Sequence, residues 1–274
     1  MDEQLAQFIR ALSILLGWIV YSWSASFYPQ PMLNWKRKST TGLTVDYPAL
    51  NVVGFVSYSI STACLLYSRR IQKQYALRHP SAPETTVRFN DFAFAAHAMV
   101  LVILTYSQFY SAIWKFEVPE VRTSSIVRMI ILGCLVAVLL ATSRAAMNDG
   151  TDFDPQAWTW LDVIYVFGYI KLVVTFCKYV PQAWMNYQRK STDGWSIGQV
   201  LFDFAGGVLS LGQLFIDASF QGDWSGITGN PAKFGLSNIS LFFDVIFILQ
   251  HYVLYRDSET GAEEDSQRLL ADAD

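Results

Sequence analysis

An internal repeat constrains the fold of this chain more than any other feature of its sequence. Residues 26–55 read SFYPQPMLNWKRKSTTGLTVDYPALNVVGF and align without a gap on residues 178–207. Each copy is an apolar run broken by Pro-Gln, then a short basic loop and a second apolar run. This pattern is typical of two membrane-spanning helices joined by a tight basic turn. The coinciding residues are Pro29-Gln30 with Pro181-Gln182, Asn34 with Asn186, 37–40 with 189–192, Gly42 with Gly194, and Gly54 with Gly206.

The composition agrees with a protein that crosses a membrane several times. Of the 274 residues, 52% are apolar and only 16% are charged. Cys64, Cys134 and Cys177 all lie in apolar runs, so the sequence predicts no disulfide framework. We expect no metal, no cofactor and no nucleic-acid partner.

The apolar segments predict an all-α membrane protein with seven transmembrane helices, because a spanning helix needs about 20 mostly apolar residues. We expect two parallel three-helix repeats, 8–113 and 158–255, joined by a linker helix at 126–147, with a short luminal N-terminus at 1–7. The repeats are predicted to be parallel because four crossings separate their first helices. The predicted helices are 8–28, 47–68, 91–113, 126–147, 158–180, 197–219 and 234–255.

Lys and Arg residues near the helix ends predict the orientation in the membrane. The basic turns at 36–38 and 189–190 place both Pro-Gln loops in the cytosol, so the N-terminus is luminal and the C-terminus cytosolic. The basic stretch 69–88 disagrees, because it must then face the lumen. We give the two short repeated loops more weight than this longer one.

The tail, residues 256–274, is polar and acidic and is predicted to lie in the cytosol. Asp265, Leu269 and Leu270 fit the acidic dileucine pattern that sorting adaptors read. The alternative is a solvated tail without a signal. The sorting interpretation is favoured because paired leucines are exposed in a cytosolic segment.

Asp203 is the sharpest functional candidate, because an ionisable group inside a membrane span is costly and is by default functional. The repeat places the neutral Asn51 at the position that matches Asp203. A scaffold that is polar in both halves but titratable in one is what a proton-coupled carrier needs. The alternative is a structural ion pair between Asp203 and Lys171.

Other polar residues in the apolar runs are candidates with two interpretations each. Lys171 could meet a substrate carboxylate, and Lys178 on the same helix face could do so or extend to the membrane surface. Asp91 could cap a helix or act as a second proton site. Asp244 lies inside the seventh helix, and Lys233 lies at its luminal edge.

The two Pro-Gln pairs are predicted to close the first and fifth helices and to kink them. Pro29 and Pro181 each remove a backbone donor, and Gln30 and Gln182 could satisfy the freed groups. The kinks could be static or could serve as hinges for alternating access. Equivalent positions in the two copies favour hinges.

The doubled Pro-Gln motif in a seven-helix chain resembles the PQ-loop family. The second copy, KYVPQAWMNYQRKSTDGWSIGQVLFDFAGG, with KFGLSNISLFFDVIFILQHYVLY after it, is similar to the cystinosin family within that group, as are SFYPQPMLNWKRKSTTGL and DYPALN. The similarity covers nearly all of residues 15–256. It implies an exporter that moves cystine and protons out of lysosomes or vacuoles.

The resemblance also implies roles for single residues. Asp203 would be the proton-coupled carboxylate and Asp91 a second acidic position in proton coupling. Asn51, Lys171 and Lys233 would line the cystine site together with Asp203, while Asn186 and Asp244 match positions important to the family. Gln199 departs from the pattern, because it stands where we expect Asn and is one methylene longer.

The sequence therefore predicts a transporter and not an enzyme: a cystine and proton symporter with lipid around it and sorting adaptors on its tail. Cystine carries two ammonium and two carboxylate groups, which suit amides, a lysine and an aspartate. One alternative is a PQ-loop exporter of another amino acid, or a sugar carrier. Another is a seven-helix retrieval receptor, which would share the architecture but cycle through the early secretory pathway.

Overall fold

The computed structural model describes residues 22–78, 85, 87, 89–119, 122–148, 157–221 and 231–256. These residues are helical, apart from turns and one isolated bridge between Ser39 and Glu117. An all-α protein, as predicted, is therefore confirmed over the described part of the chain. The elements are α1 Pro29–Arg37, α2 Asp46–Tyr67, α3 Arg69–Arg78, α4 Phe89–Ser107, α5 Ser111–Trp114, α6 Ser125–Met147, α7 Trp160–Arg189, α8 Ile197–Gln221, α9 Pro231–Leu249 and a π-helical turn Gln250–Leu254.

Three of these helices, α2, α6 and α7, are long and apolar enough to cross a membrane. Shorter apolar helical segments cover Asp91–Ser107, Ile197–Leu209 and Asn238–Leu254. Each of these six coincides with a predicted spanning run. Most of the predicted first helix, 8–28, and the predicted N-terminal segment, 1–7, lie outside the described residues, so seven spans in two parallel repeats stay a prediction.

Only the second Pro-Gln pair contradicts the prediction that each pair closes a helix, because the helical residues 22–25 do end before Pro29. Pro29 opens α1, at a first-turn position where its missing N–H costs no helical hydrogen bond. Pro181 lies inside α7, which continues eight residues further to Arg189. The helix continues because an interior proline removes a single backbone hydrogen bond. In addition, the Gln182 side chain donates to Asn186, one turn later, at 2.9 Å.

The predicted basic loop 69–88 contains a helix, α3, at its start. The amide of Gln72 in α3 donates to the carbonyl of Leu66 at 2.8 Å, which satisfies the end of α2. Arg78 forms a salt bridge with Asp162, in the first turn of α7, and its two hydrogen bonds have nitrogen–oxygen distances of 2.6 and 2.7 Å. These hydrogen bonds to Asp162 raise the pKa of the Arg78 guanidinium.

The described chain forms two compact units that each combine elements from both predicted repeats. The first unit contains residues up to Thr44, residues 107–119 and residues from Tyr179 onward. The second unit contains Val45–Tyr106 and residues 122–178. The division falls inside α7, between the consecutive residues Lys178 and Tyr179.

In the first unit, the sequence repeat folds into the same turn twice. The helices α1 and α7 end at the matching residues Arg37 and Arg189, and each is followed by a lysine in the left-handed conformation, at φ 51° in both copies. Gly42 and Gly194 then take φ values of 99° and 86°, which favour glycine. A Cβ on either glycine would also collide with the backbone of the other turn.

Each Pro-Gln glutamine binds the turn of the other copy. Gln30 donates from Nε2 to the Gly194 carbonyl at 2.9 Å and accepts the Ser196 N–H at 2.8 Å. In the same way Gln182 donates to the Gly42 carbonyl at 3.0 Å and accepts the N–H of residue 44 at 2.9 Å. The two side chains thus satisfy buried backbone groups that have no helical partner.

Two further glutamines complete this arrangement. Asn34 donates to Gln108 at 2.8 Å, and Gln108 donates to the Pro31 carbonyl at 3.0 Å. The second copy repeats both bonds, from Asn186 to Gln250 at 3.1 Å and from Gln250 to the Ala183 carbonyl at 3.0 Å. We call the following six residues, all at most 5% exposed, the glutamine network: Gln30, Asn34, Gln108, Gln182, Asn186 and Gln250.

We expect Gln108→Leu to destabilise the protein by about 2 kcal/mol, because the buried Asn34 amide N–H loses its acceptor. Thermal unfolding of the purified protein in detergent measures the loss. Gln188→Leu is the matched control, since Gln188 is exposed on α7. An unfolding temperature for Gln108→Leu equal to that of Gln188→Leu would contradict a structural role for the network.

Candidate functional site

In the first unit, Asp203 on α8 accepts two hydroxyl hydrogen bonds on a single oxygen. Tyr179 on α7 donates to Oδ2 at 2.8 Å, and Ser240 on α9 donates to the same oxygen at 2.7 Å. The two hydroxyls lie 3.2 Å apart. We call these three residues the carboxylate triad. It places a half-buried carboxyl group where three helices meet.

Aromatic packing fixes the position of the tyrosine in the carboxylate triad. The Tyr179 ring is buried and stacks on Phe243, with ring centroids 5.1 Å apart. Phe247 also packs against the Tyr179 ring in a tilted arrangement, with centroids 5.9 Å apart. Because the ring cannot swing freely, the hydroxyl is held in place for Asp203. An anionic carboxylate benefits most from such donors, and a protonated one keeps an acceptor oxygen for them.

In the second unit, Lys178 on α7 is only 6% exposed, so it does not extend to the surface as one interpretation of the sequence had it. Its ammonium donates to Asn51 on α2 at 3.2 Å. The same ammonium lies 5.4 Å from the centre of the Tyr47 ring. This cation is therefore held inside the unit by an amide oxygen and an aromatic face.

Lys171 lies two turns before Lys178 on the same face of α7 and is 7% exposed. Its ammonium is 3.5 Å from the centre of the Phe55 ring on α2. The two helices approach closely at Gly54, where a Cβ would lie 3.2 Å from a methyl group of Val174. The second unit thus places the predicted substrate residues Asn51 and Lys171 on the neighbouring helices α2 and α7, and Lys178 is hydrogen-bonded to Asn51.

The remaining predicted residues are placed as follows. Asp91 is in the first turn of α4, where the helix dipole stabilises a carboxylate. It lies near enough to Tyr58 to interact with it electrostatically. Gln199 lies one turn before Asp203 on α8, so the structure brings these two together on one helix face.

Asp244 is buried on α9, one turn after Ser240. Lys233 lies on the same helix, but its side chain is outside the described residues, as are the predicted sorting residues Asp265, Leu269 and Leu270. Asn186, predicted only as important, belongs to the glutamine network together with Gln30 and Gln182.

Sequence reasoning missed Gln108, Gln250, Tyr179 and Ser240. The two glutamines begin similar tripeptides, Gln-Phe-Tyr and Gln-His-Tyr, at the ends of apolar runs, which is a weak but readable signal. They escaped the repeat alignment because their spacing is 142 residues, whereas the Pro-Gln copies are 152 residues apart. Tyr179 and Ser240 stand in apolar runs and gave no sign of a carboxylate partner.

The chain matches the family model for the PQ loop repeat twice, over residues 12–69 and 163–223. It is 42% identical to cystinosin of Drosophila melanogaster over 254 residues, which cover 92% of this chain and 61% of that protein. Over 253 residues it is 39% identical to a cystinosin homolog of Dictyostelium discoideum, covering 92% of this chain and 84% of that protein.

Over 263 residues the chain is 40% identical to a cystinosin homolog of Arabidopsis thaliana, covering 93% of this chain and 92% of that protein. It therefore spans nearly the whole of some relatives and about three fifths of others, such as the fly protein. Two Pro-Gln turns with one hydrogen-bonding pattern agree with the doubled match to the repeat model. The chain belongs to the cystinosin family of PQ-loop proteins.

Proposed function

We propose that this protein transports cystine together with protons, from the lumen of a lysosome or vacuole to the cytosol. The observation that carries the proposal is its relatedness to proteins named as cystinosins over nearly the whole chain. A protein of Saccharomyces cerevisiae named as a cystine transporter is also 30% identical over 253 residues, covering 94% of that protein. These names indicate a transporter and not an enzyme.

The chemistry of the two units suits such a cargo. Cystine has a carboxylate and an ammonium at each end, so a site for it needs both cations and acceptors. Lys171 and Lys178 supply buried cations, and Asn51 supplies an amide oxygen within the same unit. In the proposal Gln199, Asp203 and Lys233 also contribute to cystine binding.

In the proposed mechanism Asp203 takes up a proton from the acidic lumen and releases it to the cytosol. A neutral carboxyl group can cross a low-dielectric interior far more readily than a bare anion. The Tyr179 and Ser240 hydroxyls stabilise the anionic form, so proton uptake weakens their hold on the carboxyl. Proton binding thereby shifts the balance between two conformations, by no more than its differential affinity for them. Asp91 serves as a second proton site in this proposal.

The Pro-Gln segments act as pivots in the proposed transport cycle. Pro181 interrupts the backbone bonding of α7 inside the helix, whereas Pro29 opens α1 after a turn. A helix that lacks one hydrogen bond bends there at lower cost than elsewhere. The network residues that follow each proline, Gln30 with Asn34 and Gln182 with Asn186, keep their hydrogen bonds in this proposal while the segment before the proline moves.

Reconstitution of the purified protein into liposomes tests the proposed function. With an acidic interior on the luminal side, we expect labelled cystine to move with the proton gradient, and its transport to collapse when a protonophore removes the gradient. Unlabelled lysine, arginine and glucose at equal concentration serve as competitors. Transport inhibited by one of these and not by unlabelled cystine would contradict cystine as the cargo.

We expect Asp203→Asn to abolish proton coupling, because the amide accepts the Tyr179 and Ser240 hydrogen bonds but cannot release a proton. The cystine-evoked proton current should fall by more than about tenfold. A tenfold fall corresponds to an increase of about 1.4 kcal/mol in the activation free energy of the coupled step. Cystine binding should persist. Electrophysiology on a surface-directed form measures the current.

Asp193→Asn is the control for this variant, since Asp193 is exposed and pairs with Arg37 in a turn of the first unit. It should keep the wild-type current. A normal, pH-dependent current in Asp203→Asn would mean that coupling resides elsewhere, with Asp91 as the next candidate.

We also propose that the acidic dileucine sends the protein to the lysosome or vacuole through sorting adaptors. Replacing Leu269 and Leu270 together by Ala should move a fluorescently tagged protein to the plasma membrane. Gln267→Ala, in the same tail, should leave its location unchanged. Vacuolar or lysosomal location of the double variant would contradict the assignment of this signal.

A further inference from the structure

The buried hydroxyl of Thr175, in the second unit, has no hydrogen-bond partner among the described residues, and the proposed mechanism does not use it. Thr175 on α7 is 5% exposed, and its Oγ1 makes no hydrogen bond within the part of the chain that the structure describes. A buried polar group without a partner is costly, and such groups are rare in native proteins. The Thr175 hydroxyl therefore differs from those of Thr62 and Thr105, two buried threonines on α2 and α4.

A buried threonine in a helix ordinarily satisfies its hydroxyl by donating a hydrogen bond to the backbone carbonyl one turn earlier. Thr62 on α2 donates in this way to the Tyr58 carbonyl at 2.8 Å, and Thr105 on α4 donates to the Leu101 carbonyl at 2.9 Å. Both are as deeply buried as Thr175. Thr175 makes no such bond to the corresponding carbonyl, that of Lys171, so its hydroxyl stays available for another acceptor.

The residues on either side of Thr175 along its helix face are the two buried lysines. Lys171 precedes it by four residues and Lys178 follows it by three, so all three lie on one face of α7. At a rise of about 1.5 Å per residue, the three Cα atoms are spread over roughly 10 Å along the helix. The face thus presents two ammonium groups with a hydroxyl donor between them.

These groups can all donate hydrogen bonds, and two of them carry a positive charge. The ligand that suits a hydroxyl donor beside two cations is an anion with several acceptor oxygens. The aromatic rings beside the lysines, Phe55 and Tyr47, stabilise the cations while the anion is absent. A carboxylate fits because it can accept from a hydroxyl and an ammonium at once.

We propose that Thr175, with Lys171 and Lys178, forms a carboxylate subsite that holds one α-carboxylate of the transported amino acid. This inference rests on the proposed function and adds Thr175 as a substrate-binding residue. The hydroxyl donates to the carboxylate, and the lysines neutralise its charge on either side. The subsite thus discriminates amino acids from amines of the same shape.

The test compares cystine with cystamine, which has the same disulfide and ammonium groups but no carboxylates. Both compete against labelled cystine in liposomes that contain the full chain. We expect Thr175→Val, which keeps the shape and removes the hydroxyl, to weaken cystine competition about tenfold, as for loss of a hydrogen bond to a charged group. Cystamine competition should not change. Thr175→Ser, which restores a hydroxyl, should recover most of the cystine affinity.

Thr105→Val is the matched control, since its buried hydroxyl is already satisfied by its own helix. It should leave competition by both compounds at wild-type values. Equal weakening of cystine and cystamine by Thr175→Val, or no weakening of either, would overturn the carboxylate subsite while leaving cystine transport intact. Wild-type protein without cystine transport would instead contradict the proposed function, and the subsite with it.

Discussion

A buried backbone group without a hydrogen-bond partner is costly, and the glutamine network meets that constraint at the two Pro-Gln turns. Each turn needs a positive φ at a glycine and leaves backbone groups open, and the glutamine of the opposite copy closes them. The network consists of neutral amides, so it satisfies these groups without burying charge. The repeated sequence is therefore a reciprocal structure, in which neither turn is complete without the other.

Two residues that take part in the proposed transport chemistry lie on α7 just before the residues that belong to the glutamine network. Asn186 and Gln182 belong to it, and the consecutive residues Tyr179 and Lys178 carry the hydrogen bonds to Asp203 and Asn51. Ionisable groups thus occur on the same helix as the rigid amides, directly before Pro181. We infer that the neutral part keeps its contacts during transport while the charged part changes its protonation and its ligands.

The sequence predicted six apolar helical runs and the paired turns, because apolar runs and repeats leave strong local signals. It also singled out Asp203 as an acid in an apolar run, and the role of Asp203 stays a prediction. It could not predict that α7 continues through Pro181, since the Gln182–Asn186 bond that supports it reads as two ordinary polar residues. The carboxylate triad was hidden for a different reason. Tyr179 and Ser240 are compatible with apolar runs, and only the packing of α7, α8 and α9 reveals that both reach one oxygen.

The central claim is that Asp203 gains and loses the coupled proton during transport of cystine. Infrared difference spectroscopy of the reconstituted protein observes this step directly, by recording the change when cystine is added at mildly acidic pH. We predict a cystine-induced band in the region of protonated carboxyl groups for the wild-type protein, and its loss in Asp203→Asn. The same band in Asp203→Asn would contradict the account, because another group would then carry the proton.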